Sequence, residues 1–240
     1  MQRKVTVVFK VITVLRREVK EQLGITLVHH GSTSAIGMAY YKKEHMGDNK
    51  WRLPTSRSFR DIRSFRYTGG LVHAPGRGKV HKKVYAYDVV SMYPSVIRNR
   101  PIPSGQLVNV DVFEPWHFGF VEVLGRAPKD KLPCLLPIRR LNKDNKFISQ
   151  SLECVGPNEL FSGLFLSSEV DAAEAYGYAM QTFGGKVFTP NSSGFKSFVD
   201  SCFKQRQYFK KVGNFVSERI YKSILNTFYG RFAMRPYFPE

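Results

Sequence analysis

The sequence predicts an α+β fold, and three observations predict it. Residues 84–90 alternate Val84, Ala86, Asp88 and Val90 with Tyr85, Tyr87 and Val89, the period-2 pattern of a strand rich in β-branched and aromatic side chains. Residues 195–230 read as two helices in a hairpin, with Gly213 ending the first and Asn214 capping the second. Between them lie strand-like runs at 119–124 and 135–138 and a helical run near 168–176. The 240 residues, 42% of them hydrophobic, suffice for one large or two small domains with a real core.

Charge narrows the partners. The chain carries 37 Lys+Arg against 19 Asp+Glu, a net charge of +18 and a pI near 9.9. Such an excess points to a polyanion, with nucleic acid as the first candidate. A membrane surface is the alternative, but no stretch approaches the roughly 20 apolar residues that span a bilayer, and no membrane partner is expected. Cys134, Cys154 and Cys202 are widely spaced and form no CxxC pair, which argues against zinc and fits a reducing compartment.

In chain order, residues 1–24 place Val8, Val11, Val14 and Leu15 against charged positions and read as a helix ending near Gly24. The segment is basic enough for a mitochondrial transit peptide, but it is poor in Ser and contains Glu18 and Glu21, so a structural helix is preferred. A capped helix starts around Ser32 to Ser34, followed by a basic loop through 51–66. From Met1 to Arg66 the balance is 14 basic residues to 5 acidic, half the excess charge in about a quarter of the chain. The paired Gly69 and Gly70 after Tyr67 permit positive φ and close backbone approach, and 75–83 reads as a tight turn.

The stretch 84–95, VYAYDVVSMYPS, reads as a buried strand that turns at 91–93 and enters a helix through Val96 and Ile97, with Pro94 at the first helical position. Such a turn leaves free N–H groups at a helix N-terminus, a cradle for phosphate. Asp88 precedes it, where a carboxylate can hold Mg²⁺ against the same phosphates. The plainer account is a core strand capped by an acid. In the hairpin, Arg206 and Lys210 share a face of the first helix, and Lys222, Asn226, Tyr229 and Gly230 form one stripe on the second. Val216, Ile220, Ile224 and Phe228 occupy the opposite face. An amphipathic helix with a basic face is the plainer account here.

Residues 88–95 resemble motif A (DxxSLYPS) of the family B DNA polymerases, with Met92 in place of leucine. Lys222 to Gly230 resembles motif B (KxxxNSxYG), with Thr227 in place of serine, and Tyr67-Thr-Gly69-Gly70 resembles the family's YxGG segment. The resemblance implies that Asp88, with the Val89 carbonyl, is a catalytic ligand of Mg²⁺. It implies that the Ser91 and Met92 amides hold the triphosphate, and that Tyr93 stacks under the deoxyribose and excludes a 2′-hydroxyl. Arg206, Lys210 and Lys222 would bind the triphosphate of the incoming dNTP, and Asn226 and Tyr229 would line the nascent base pair. Gly230, Tyr67, Gly69 and Gly70 would face template DNA.

The long spacer and the YxGG segment are similar to the protein-primed branch, whose partners are DNA primer–template, dNTPs and a terminal priming protein, and which occurs in viruses and in mitochondrial linear plasmids. The implied division is 1–66 as the end of an exonuclease-like domain with a basic linker, 67–194 as a partial palm with an insertion, and 195–240 as fingers helices. No exonuclease-like DxE occurs in the first segment, so proofreading is not expected. The family's second catalytic carboxylate comes from a later motif C, DTD, and the chain contains no DxD. The two-metal site is therefore expected to be incomplete. Three readings stay open: a polymerase fragment inactive alone, a split polymerase completed by a second chain carrying motif C, and a non-catalytic basic DNA-binding remnant.

Overall fold

A computed structural model describes residues 2–46, 78–79, 81–130, 135–138, 153–191 and 194–233. Tyr67, Gly69 and Gly70, Cys134 and the basic loop 51–66 lie outside the described residues. The chain divides into two compact units: one built from Met1–Lys50, Tyr87–Ile102 and Asn191–Glu240, the other from Trp51–Ala86 and Pro103–Pro190.

The first unit is helical. α1 (Gln2–Leu23) ends at Gly24, whose φ of 63° reverses the chain as a left-handed C-terminal residue does. α2 (Thr33–Glu44) opens on Ser32, whose hydroxyl accepts from the Ala35 N–H at 3.3 Å. Past the motif A turn comes the short α3 (Met92–Asn99). α5 (Lys196–Lys211) and α6 (Phe215–Thr227) form the expected hairpin, since Gly213 sits at φ 76° and the Asn214 side chain accepts from the Ser217 N–H at 3.1 Å. A 3-10 turn, Phe228–Ala233, follows.

An aromatic cluster joins these pieces. Phe228 packs on Phe198 with ring centroids 4.4 Å apart, and Tyr41, Phe195 and Phe232 surround it. Gly37 lets α2 close on α6, because a Cβ there would stand 3.1 Å from the Ile224 side chain. α1 enters the core only through its last turns: Val19 and Leu23 are buried, whereas Val8 and Val11 are exposed. Ile12 and Leu15 of that open half line an apolar groove of about 680 Å³ with Val216, which for this reason remains 37% exposed instead of joining Ile220, Ile224 and Phe228 in the core.

The second unit is a sheet in the order β1-β6-β2-β5: β1 (Ile102–Val110), β2 (Phe118–Arg126), β5 (Leu160–Leu166) and β6 (Ala179–Asn191). β2 runs antiparallel to both neighbours, with Val123 opposite Gly163 and Thr182. α4 (Ser167–Tyr176) covers one face, burying Val121, Val123, Phe161, Phe165, Val170 and Ala173. A small pair, β3 (Pro137–Ile138) and β4 (Glu153–Cys154), completes the unit. The runs at 119–124 and 168–176 thus fall inside β2 and α4, and 135–138 contains β3.

Two expectations change. Residues 84–90 are not a buried strand: no strand is formed there, Tyr87 is 92% exposed, and Val84, Val89 and Val90 face outward. A strand exists only by pairing its N–H and C=O groups with a neighbour, and neither described sheet includes these residues. Pro94 is the third helical residue rather than the first; the opening turn's amides have no intrahelical acceptor, so its missing N–H costs nothing there.

Two stability predictions come from this packing. Glu18 is buried between α1 and α6, accepting from the Ser217 hydroxyl at 2.8 Å and from the Asn214 amide at 3.5 Å. The Ser217 hydrogen bond, opposed by burial and helped by Asn214 and Arg17, holds its carboxyl below the ordinary value of 4.5. A depressed carboxyl contributes stability above its unfolded pKa and loses it as pH falls. Glu18→Gln should therefore lower unfolding free energy by about 1–2 kcal/mol at neutral pH, and denaturant titrations should show that gap closing below about pH 4.5. At the β2–β6 bulge a Cβ on Gly185 would lie 2.3 Å from the Phe120 carbonyl oxygen, so Gly185→Ala should cost about 1–3 kcal/mol by the same titration.

Candidate nucleotide site

The motif A turn is a built feature. Ser91 sits at φ 52°, ψ 40°, a left-handed conformation that a non-glycine residue adopts at a cost. Its carbonyl accepts the first bond of α3 from the Ser95 N–H at 2.9 Å. The Met92 and Tyr93 amides therefore precede the hydrogen-bonded turns, and Pro94, the buried residue of the helix, contributes none. Asp88 and Val89 lie just ahead, exposed and outside any helix or strand.

Motif B meets this turn through the residue that follows the buried Phe228. Phe228 is fully buried, so Tyr229, the next residue, is turned outward. Its ring meets Tyr93 edge to face, with centroids 4.7 Å apart and planes at 85°. The two tyrosines that the sequence places in separate motifs thus touch within the first unit. Lys222 is half-buried on α6, Asn226 is exposed, and a Cβ on Gly230 would meet nothing within 4 Å. The stripe and the apolar face are segregated as the 3.6-residue period requires.

The cations divide into engaged and open. Arg206 donates from Nε to Glu218 Oε1 at 3.0 Å, a half-buried ion pair that braces α5 against α6. Lys210, by contrast, is exposed, as are Lys204, Lys211 and Arg219. Asp200, the other acid of the hairpin, is taken by Arg98 of α3. With both acids engaged, the open charges of the hairpin are basic. Cys202 belongs to the core, where burial pushes its thiol up to about 12.

Sequence reading missed the Arg98–Asp200 pair. The one available signal was composition: Asp200 is the only acid on α5 and Arg98 the only cation on α3. Among the described residues no group of three or more His, Cys, Asp or Glu is gathered. Asp88 supplies one carboxylate, which does not by itself fit a two-metal centre. No helix among the described residues is long and apolar enough to cross a membrane.

Comparison with known proteins places the chain in a family. The chain is 25% identical over 236 residues to a probable DNA polymerase of Ascobolus immersus, covering 94% of this chain and 18% of that protein. A probable DNA polymerase of Podospora anserina is 25% identical over 243 residues, and one of Neurospora intermedia is 24% identical over 246. The chain spans about a fifth of the length of these relatives, 18% and 23% of the last two. The fold matches Phi29 DNA polymerase with a TM-score of 0.66 and 17% identity, over 87% of this chain and 38% of that one. Phi29 DNA polymerase complexed with primer-template DNA and incoming nucleotide substrates matches with a TM-score of 0.62 and 16% identity, over 88% of this chain and 37% of that one. The model of the family described as DNA polymerase type B, organellar and viral, matches residues 2–239, and the chain belongs to that family.

Proposed function

We propose that this chain is the nucleotide-binding portion of a protein-primed, template-directed DNA polymerase that uses dNTPs. The observation that carries the reading is the meeting of Tyr93 and Tyr229, which puts motif A and motif B at one place. The Ser91 and Met92 amides and Lys222 would hold the triphosphate, donors without competing acceptors. Lys210 is free to join them, whereas Arg206 would have to share its guanidinium with Glu218. Tyr93 would pack under the sugar where a 2′-hydroxyl would clash. Asn226 and Tyr229 would line the base pair, with Gly230 open to template, and Tyr67, Gly69 and Gly70 would contact the template strand.

In the same reading, residues 1–66 form the end of an exonuclease-like domain, 67–194 a partial palm and 195–240 the fingers. Asp88, with the Val89 carbonyl, would be one ligand of a Mg²⁺ site. Because a single carboxylate does not fit the two-metal centre, turnover would need a second carboxylate, supplied by a longer chain or by a second chain carrying motif C. A terminal priming protein and a mitochondrial location complete the proposal; fungal relatives named probable DNA polymerase support a fungal context.

One observation favours a second reading, a non-catalytic DNA-binding remnant: Asp88 is exposed with no acidic cluster gathered around it among the described residues. Binding of dATP and ATP, each with Mg²⁺ and primer–template DNA, separates the two. The nucleotide site predicts that dATP binds, that Lys222→Ala weakens it at least about tenfold, the scale of a charge-assisted phosphate contact, and that Tyr93→Ala admits ATP. DNA binding without nucleotide binding would instead support the remnant. In either case affinity for DNA should fall roughly 1,000-fold between about 50 and 200 mM salt, as for about six neutralised phosphates.

A further inference from the structure

We infer that Arg98 and Asp200 are positioning residues, a latch that holds the motif A helix on the hairpin and thereby sets where Tyr93 stands. α3 has eight residues and Pro94 is its one buried side chain. So short a helix does not fix its own place in water. Beside the packing of Pro94, two side-chain contacts hold it: the Tyr93–Tyr229 ring pair and the fork from Arg98 to Asp200, in which Nε donates to Oδ1 and Nη2 to Oδ2 at 3.2 Å.

The third guanidinium nitrogen closes the arrangement. Arg98 Nη1 donates to Asn99 Oδ1 at 2.8 Å, and Asn99 Nδ2 donates to the Ser95 carbonyl at 2.9 Å, so the guanidinium is tied back into the last turns of α3. Asp200 is the only acid on α5 and Arg98 the only cation on α3, and Asp200 takes Arg98 although Lys196 and Lys204 stand four residues either side of it on α5. The side chains are 38% and 46% exposed, so the pair holds little stability. Its worth is geometric, because a planar two-point fork fixes both direction and rotation where a point charge fixes neither. One end of α5 is thus fastened to the helix that begins beside Tyr93, while Arg206 and Lys210 lie further along the same helix. The latch sets the distance between the residue under the sugar and the cations for the triphosphate, and so contributes to choosing deoxyribose over ribose.

This rests on the nucleotide-site reading above, and the test separates the two. In the full 240-residue chain labelled with ¹³C-tyrosine, the Tyr229 ring should shift the Tyr93 ring resonance, a shift that Tyr229→Ala should remove. Arg98→Gln and Asp200→Asn should each move that resonance toward its Tyr229→Ala position and leave the melting temperature nearly unchanged. Each should also weaken dATP binding about three- to fivefold, the scale of a lost exposed fork, and narrow the preference for dATP over ATP. The exchanged pair, Arg98→Asp with Asp200→Arg, should restore both readouts. Should Arg98→Gln unfold the chain, Arg98→Lys keeps the charge without the fork and is read in the same way. An unmoved Tyr93 resonance, or no restoration by the exchanged pair, overturns the latch while leaving the nucleotide site standing. Absence of dATP binding in the wild type overturns the nucleotide reading and the selectivity assigned to the latch, and the resonance still decides whether the fork positions Tyr93.

Discussion

The packing of Phe228 is the constraint on which the first unit depends. Its ring is fully buried among Tyr41, Phe195, Phe198 and Phe232, drawn from α2, from the start of α5 and from the turn after α6. Phe228 also belongs to the motif B run, one residue before Tyr229. A fully interdigitated aromatic cannot rotate without opening a cavity, so the outward direction of Tyr229 follows from the inward direction of its neighbour. The edge-to-face contact with Tyr93 is therefore positioned from the core, and a substitution at Phe228 would be felt at the site before it touched any ligand.

How much of this was legible in the sequence depends on the range of the signal. The hairpin was legible because its determinants are local: Gly213 supplies a positive φ, Asn214 a cap, and Ile220, Ile224 and Phe228 a helical period. Ser32 and Gly24 announced the start of α2 and the end of α1 for the same reason. β1 was not legible, because Pro101 and Pro103 read as a helix stop followed by a loop. Yet β1 is an edge strand, where a missing N–H is tolerated. In β6, Gly184 and Gly185 supply no side chain to a strand's alternating pattern, and in the sheet they let Val110 and Phe120 approach closer than any Cβ allows. Residues 84–90 failed in the opposite way, having a strand's pattern without a described strand beside them. The pattern records what a segment can pair with, and pairing itself is a property of the neighbour.

Arg98 and Asp200 show a third limit. They lie 102 residues apart, and nothing local marks an arginine in a short helix as bound for a distant acid. Composition held the hint, since one acid in a basic helix is a local conflict, and such conflicts in folded proteins are resolved by a specific partner. Glu218 follows the same logic with Arg206. Once both acids of the hairpin are neutralised by forks or pairs, what remains open on it is uniformly cationic, which suits a surface meeting phosphate.

Binding and chemistry are physically separable in this architecture. Cations, ring faces and backbone amides act singly, so residues held on rigid helices recognise a triphosphate as soon as the helices are in place. In the proposed reading Lys210, Lys222, Asn226, Tyr229 and the turn at Ser91 would be of this kind, and all belong to one unit. Metal-assisted phosphoryl transfer is collective: two ions held a few ångströms apart demand carboxylates that share them, and one carboxylate alone is only an acid. Asp88 is exposed and lies outside any helix or strand, away from the aromatic core that orders the others. A neighbour that paired with 84–90 would order the segment and bring its own side chains beside Asp88 in the same event, because strand pairing places residues of adjacent strands within about 5 Å of each other. In the proposed reading, strand pairing at 84–90 and assembly of the catalytic centre would be one structural step, and recognition of the nucleotide would not depend on it.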